Sequence, residues 1–108
     1  MRTKPQDSKK KILDFYENLF NDLWEKFLPT LGITSIEAIT KCAQGISSKK
    51  YKILDNLIYL NDKCSFKKIR KNLNEIDIDI LEAALTNFIE EFINIIVLLT
   101  GEIIVKKT

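Results

Sequence analysis

The side chains that could do chemistry are few, and their spacing is poor for it. The sequence contains no histidine and two cysteines, Cys42 and Cys64. Without an imidazole there is no Ser-His-Asp or Cys-His triad, no His-ligated metal and no phospho-accepting histidine. Neither cysteine belongs to a CxxC pair, which removes a structural zinc site; each reads as a reduced thiol in a core or semi-buried position. Gly32, Gly45 and Gly101 lie too far apart to cradle a phosphate. Asp77-Ile78-Asp79 shares two letters with a calcium loop but lacks its glycine and closing glutamate. Glu90 and Glu91 are adjacent, which on a helix turns them about 100° apart, a poor geometry for an acid–base pair. The expectation is a chain without catalysis, cofactor or metal.

Charge offers a binding alternative. Every Lys and Arg except Lys106 and Lys107 lies at or before Lys71, while Glu75, Asp77, Asp79, Glu82, Glu90, Glu91 and Glu102 follow it. The two parts of the chain therefore have opposite sign and are expected to attract each other, within the fold or across a dimer. The segment from Tyr51 to Glu91 also resembles a winged-helix or helix-turn-helix unit, with helices Lys52–Leu60 and Ser65–Leu73 and a recognition helix Ile78–Glu91. That resemblance puts Thr100-Gly101 at the tip of a wing hairpin and makes Lys63, Lys67, Lys68, Arg70 and Lys71 phosphate contacts of a DNA-binding transcriptional regulator. The sign of the recognition helix opposes this: Asp79, Glu82, Glu90 and Glu91, with no Lys or Arg among them, would meet phosphates. The basic cluster reads more simply as the solvated face of an amphipathic helix, and nucleic acid is disfavoured as a partner.

The elements that would position these residues are helical. A chain of 108 residues with few glycines and prolines suits a single domain, here a disordered segment over 1–6 and a helical domain over 7–108. Asp7 or Ser8 caps a first helix whose inner face carries Ile12, Tyr16, Leu19, Phe20, Leu23, Trp24 and Phe27, and which Pro29 and Gly32 end. The aromatic set Phe15, Tyr16, Phe20, Trp24 and Phe27 reads as core rather than as a ligand pocket. Thr34 with Glu37 forms a capping box for a second helix through Ile36, Ile39 and Ala43, stopping at Gly45. A third helix spans roughly Lys50 to Leu60, and Asn61 to Lys63 turns into a fourth, capped by Ser65, with Phe66, Ile69 and Leu73 inward. Asp79 with Glu82 opens the last and longest helix. Its stripe is Leu81, Leu85, Phe88, Phe92, Ile95, Leu99 and Ile103, widened by Ile89, Ile93, Ile96, Val97 and Ile104.

The expected fold is all-α, a small bundle of four or five helices around this C-terminal helix. The alternative is a winged-helix-like fold with a C-terminal β-hairpin over residues 93–105. A helix apolar on nearly every side has to be covered. In so short a chain a homodimer would cover it, through Ile89, Ile93, Ile96, Val97 and Ile104. The aromatic opening helix, the Leu31-Gly32 turn and the closing Leu99 to Glu102 resemble small helical accessory domains of archaeal and bacterial signalling proteins. That resemblance implies a regulatory or adaptor role. Asn94, Thr100, Gly101 and Glu102 interrupt the apolar run, so no membrane span is expected. The polar, basic segment after Met1 lacks a signal peptide's apolar stretch, and the expected location is cytoplasmic.

Overall fold

The first long helix, α1, spans Pro5–Leu31 in the computed structural model, which describes residues 5–60 and 63–107. Of the segment 1–6 expected to be disordered, residues 1–4 lie outside the described residues, and Pro5 already opens α1, where its missing N–H forfeits no helix bond. Pro29 does not end the helix. It sits in the last turn, where it forgoes one backbone bond to the Glu25 carbonyl, and α1 continues past it to Leu31. Gly32 makes the stop: its φ of 82° is strained for any residue with a Cβ. Its N–H donates to the Leu28 carbonyl at 2.8 Å and its own carbonyl accepts from Ile36 N–H at 3.1 Å, so one glycine closes α1 and opens α2 (Ile33–Ser48). The expected Thr34–Glu37 capping box does not form, because the helix begins at Ile33 and leaves Thr34 within its exposed first turn. Nor does Gly45 stop α2, which runs on to Ser48. Thr40 is fully buried on α2 and satisfies its hydroxyl by donating to the Ile36 carbonyl at 2.7 Å.

Residues 51–65 depart most from expectation. In place of a helix over Lys50–Leu60 there is a 3-10 turn, Lys52–Asn56, followed by β1 (Ile58–Leu60) and β2 (Lys63–Ser65). The strands are antiparallel, with Ile58 opposite Ser65 and Leu60 opposite Lys63. Gln44 on α2 donates through Nε2 to the carbonyls of Leu54 at 2.7 Å and Leu57 at 3.4 Å, taking up acceptors that a continuing helix would have used itself. Because Ser65 pairs in β2, the next helix, α3 (Lys67–Lys71), is capped from Phe66 instead. Phe66, Ile69 and Leu73 face inward as expected.

A second 3-10 turn, Leu73–Glu75, leads to α4 (Ile78–Lys107). Its cap is Asp77 rather than Asp79: Asp77 Oδ1 accepts from Asp79 N–H at 2.8 Å, and the Asp77 carbonyl receives the first helical bond, from Leu81 N–H, at 2.9 Å. The α4 backbone stays helical through Thr100-Gly101, so the C-terminal hairpin is absent. With it, and with the missing Lys52–Leu60 helix, goes the spacing on which the winged-helix alternative rested.

Among the described residues the architecture is helical, with one ribbon of two three-residue strands as its β content. α4 packs mainly on α2 and α1. Its buried residues Leu81, Ala84, Leu85, Phe88, Ile89, Phe92 and Ile96 face Leu13, Phe20 and Trp24 of α1 and Ile36, Ile39 and Ala43 of α2 in one core. Two contacts fix how α1 and α4 run. Tyr16 shares a 2.7 Å hydrogen bond with Thr86, and the Phe20 ring, one turn on, lies 5.1 Å from Phe88 and 4.9 Å from Phe92. Position advances in the same sense on both helices, so they are parallel. α4 is not wrapped on every side, as its composition suggested. Over residues 78–99 one arc is buried and the rest is partly or fully exposed.

Candidate functional site

The residues singled out for chemistry or binding divide sharply by position. Of the expected interface set, Ile89 and Ile96 are core residues, Ile96 with 2% of its surface exposed. Helical phase turns both toward α1, where they pack in the shared core. Ile93 and Val97 are exposed, at 37% and 57%, and lie one turn apart on the same side. The Ile104 side chain lies outside the described residues. Leu98 (68%) and Leu99 were not assigned to the interface, yet both are exposed. Leu99 continues the core stripe in phase, so periodicity alone placed it inside.

Phe15 was also misplaced by sequence reasoning. It was grouped with the core aromatics but is 61% exposed, its ring held edge-on to Tyr16 with centroids 5.1 Å apart. Its offset from the Phe20 and Trp24 stripe was the available signal. By helical phase it shares a flank of α1 with Ile12, Leu19 and Leu23, which are half-buried against the core. The Tyr16–Thr86 bond ties that flank to the side of α4 that carries Ile93 and Val97, since Thr86, Ile93 and Val97 share a phase. By helical phase Phe15, Leu19 and Leu23 of α1 and Ile93 and Val97 of α4 lie on one flank, which they share with the exposed charges of Asp22, Lys26 and Glu90.

The basic cluster is less uniform than its sequence. Lys67, Lys68 and Lys71 are exposed on α3, a helix of five residues, and the side chain of Lys63 lies outside the described residues. Arg70 is turned away from solvent partners: its Nη2 donates to Asp14 at 2.7 Å and Glu17 at 3.0 Å on α1. Burial alone would pull the guanidinium down, but the bond to Asp14 and the charges of Asp14 and Glu17 outweigh it and raise its pKa above the ordinary arginine value. Arg70 is therefore a strut between α3 and α1 and not a phosphate contact. The attraction expected between the basic and acidic parts of the chain is not what this cation serves, because both its partners precede Lys71. Replacing Arg70 by alanine should lower stability by about 1 kcal/mol in urea unfolding, the ordinary worth of a partly exposed pair of contacts. A loss indistinguishable from zero would show that the strut is ornamental.

Other reactive groups do not gather. Cys42 sits exposed on α2, contrary to the expected core or semi-buried position, and the Cys64 side chain lies outside the described residues. Among the described residues no three of Cys, Asp and Glu converge as a metal site, and no helix is long and apolar enough to cross a membrane. Trp24 Nε1 and Ser47 Oγ are buried without a hydrogen-bond partner, and nothing in the structure accounts for either. Compared with models of known protein families, with curated proteins and with solved structures, the chain matches none of them.

Proposed function

We propose that this chain is a non-catalytic interaction module that works by self-association, a regulatory or adaptor domain of prokaryotic signalling type. The observation that carries the reading is the exposed aliphatic side of α4, with Ile93 and Val97 on a helix whose opposite side already fills the core. Single exposed leucines are ordinary on protein surfaces, but a contiguous apolar strip marks a contact surface. The shape agrees. The radius of gyration is 15.0 Å, against about 13 Å for a compact chain of this length. The accessible surface is 7304 Å², whereas a folded monomer of 12.5 kDa exposes about 6,200 Å².

Sedimentation equilibrium tests the proposal directly. The wild-type chain should run as a dimer at micromolar concentration, and Val97→Glu, which places a charge in the dry contact, should run as a monomer with unchanged helical circular dichroism. A wild type that stays monomeric at high concentration removes self-association from the reading.

The DNA-binding alternative is the weaker reading, because Arg70 is committed to α1 and the helix in the recognition position is acidic on its exposed side.

A further inference from the structure

We infer that the segment from Gly45 to Tyr51 is a strap that unwinds from the end of α2 as one unit while the rest of the fold stays closed. The molecule thereby has a second state, confined to this place.

Three observations meet in one turn. The first is the helix end itself. The left-handed residue that closes α1 at Gly32, with its φ of 82°, has no counterpart at Lys49, where α2 stops with φ −63° and ψ −33°. The second is Gly45, which lies inside α2 rather than after it. A Cβ at this position would meet nothing within 4 Å, so close packing does not call for a glycine. Glycine inside a helix moves the equilibrium toward the unwound chain by about fivefold relative to alanine. Ile46, Ser47 and Ser48, which follow it, are middling helix formers. The third is Ser47. Its side chain is fully buried and its Oγ has no hydrogen-bond partner. Unwinding gives this hydroxyl to water and ends a desolvation that the closed state leaves uncompensated.

The strap is pinned at both ends, which sets its limits. Just before it, Gln44 donates through Nε2 to the carbonyls of Leu54 at 2.7 Å and Leu57 at 3.4 Å. Ala43, beside Gln44, and Leu54, just past Tyr51, are both fully buried. These contacts hold α2 to the 3-10 turn whether or not the segment between them is wound. Within the strap the closing bonds converge on one carbonyl: Lys50 and Tyr51 both donate N–H to Ser47 O, at 3.1 and 2.9 Å. Ser48 Oγ adds a 3.3 Å bond to the Gly45 carbonyl. Moving Ser47 releases both backbone bonds together, so the segment opens in one step instead of fraying residue by residue. Opening takes Ser47 out of the interior and Tyr51 from its place against the core. A partner that grips the open strap would shift the population toward it.

Native-state hydrogen exchange tests this. The amides of Ile46, Ser47, Ser48, Lys50 and Tyr51 should share one protection factor, about tenfold or more below those of Thr40 to Ala43, and keep it in low urea, because a local opening exposes little surface. Gly45→Ala should raise that shared value about fivefold, and Ser47→Ala by a similar factor. Equal protection and equal urea dependence in the two groups would mean that α2 opens only when the whole chain unfolds, and the inference falls. It falls too if protection declines gradually from Ser47 to Tyr51, which is ordinary end fraying, or if Gly45→Ala changes nothing. A loss of protection in Ser47→Ala overturns it as well, since the hydroxyl would then be partnered in the closed state.

Discussion

Replacing Phe20 by alanine should cost this protein about 3–5 kcal/mol, the upper range for removing a buried aromatic ring. Phe20 has no exposed surface and is the meeting point of four other rings: Trp24 at 5.9 Å, Phe66 at 6.2 Å, Phe88 at 5.1 Å and Phe92 at 4.9 Å between centroids. Those neighbours come from α1, from the cap of α3 and from two turns of α4. A cavity there is walled by three separate parts of the chain, none of which can close it alone without dragging its helix. Aromatic pairs at these separations add about 0.5–1.5 kcal/mol beyond area burial. Small domains have about 5–15 kcal/mol in all, so the variant would stand close to unfolding at ambient temperature. Urea denaturation read by far-ultraviolet circular dichroism measures the loss. A change below about 1 kcal/mol would mean that the ring cluster is not the joint of the bundle.

Ile96→Glu should fail more completely, and it is best measured beside Val97→Glu. The two positions are neighbours in sequence and differ in surroundings: Ile96 is closed off in the core and Val97 is open. A carboxylate at position 96 has either to be buried unpaired or to take up a proton, and either choice costs several kcal/mol on top of the lost isoleucine packing. Loss of the cooperative thermal transition is the expected result. The substitution at position 97 should leave that transition in place at concentrations where the chain is monomeric, and act on association alone. Equal damage at both positions would contradict the side of α4 assigned to the core.

The two long helices were legible in the sequence because their apolar spacing repeats over many turns. Leu81, Leu85, Phe88 and Phe92 were expected inside and are. What a stripe does not reveal is how much of it neighbours will cover. Ile89 and Ile96 looked like surplus for a partner and are used up at home, whereas Leu99 looked like core and is exposed. The middle of the chain was misread for another reason. Ile58–Leu60 is too short to show alternation, and its departure from helix depends on Gln44, a side chain on another element that no local pattern reports. Cap positions slipped by one or two residues wherever two polar residues competed, Asp77 against Asp79 being the clearest case. Arg70 shows the limit of reading charge from a run. Four basic residues lie side by side in Lys67, Lys68, Arg70 and Lys71, and only the fold shows that one of them reaches back to α1.

The hydrogen bond between Tyr16 and Thr86 joins residues 70 apart in the chain, and the rings around Phe20 span a similar stretch. During synthesis at about 5–20 residues per second, the greasy side of the first helix therefore waits several seconds for the segment that will cover it. The first two helices can form early, because their hydrogen bonds are local, but they remain half-dressed until residues 81–96 have emerged from the ribosome. A nascent chain halted before residue 88 should be bound by holding chaperones, and one released past residue 100 should escape them.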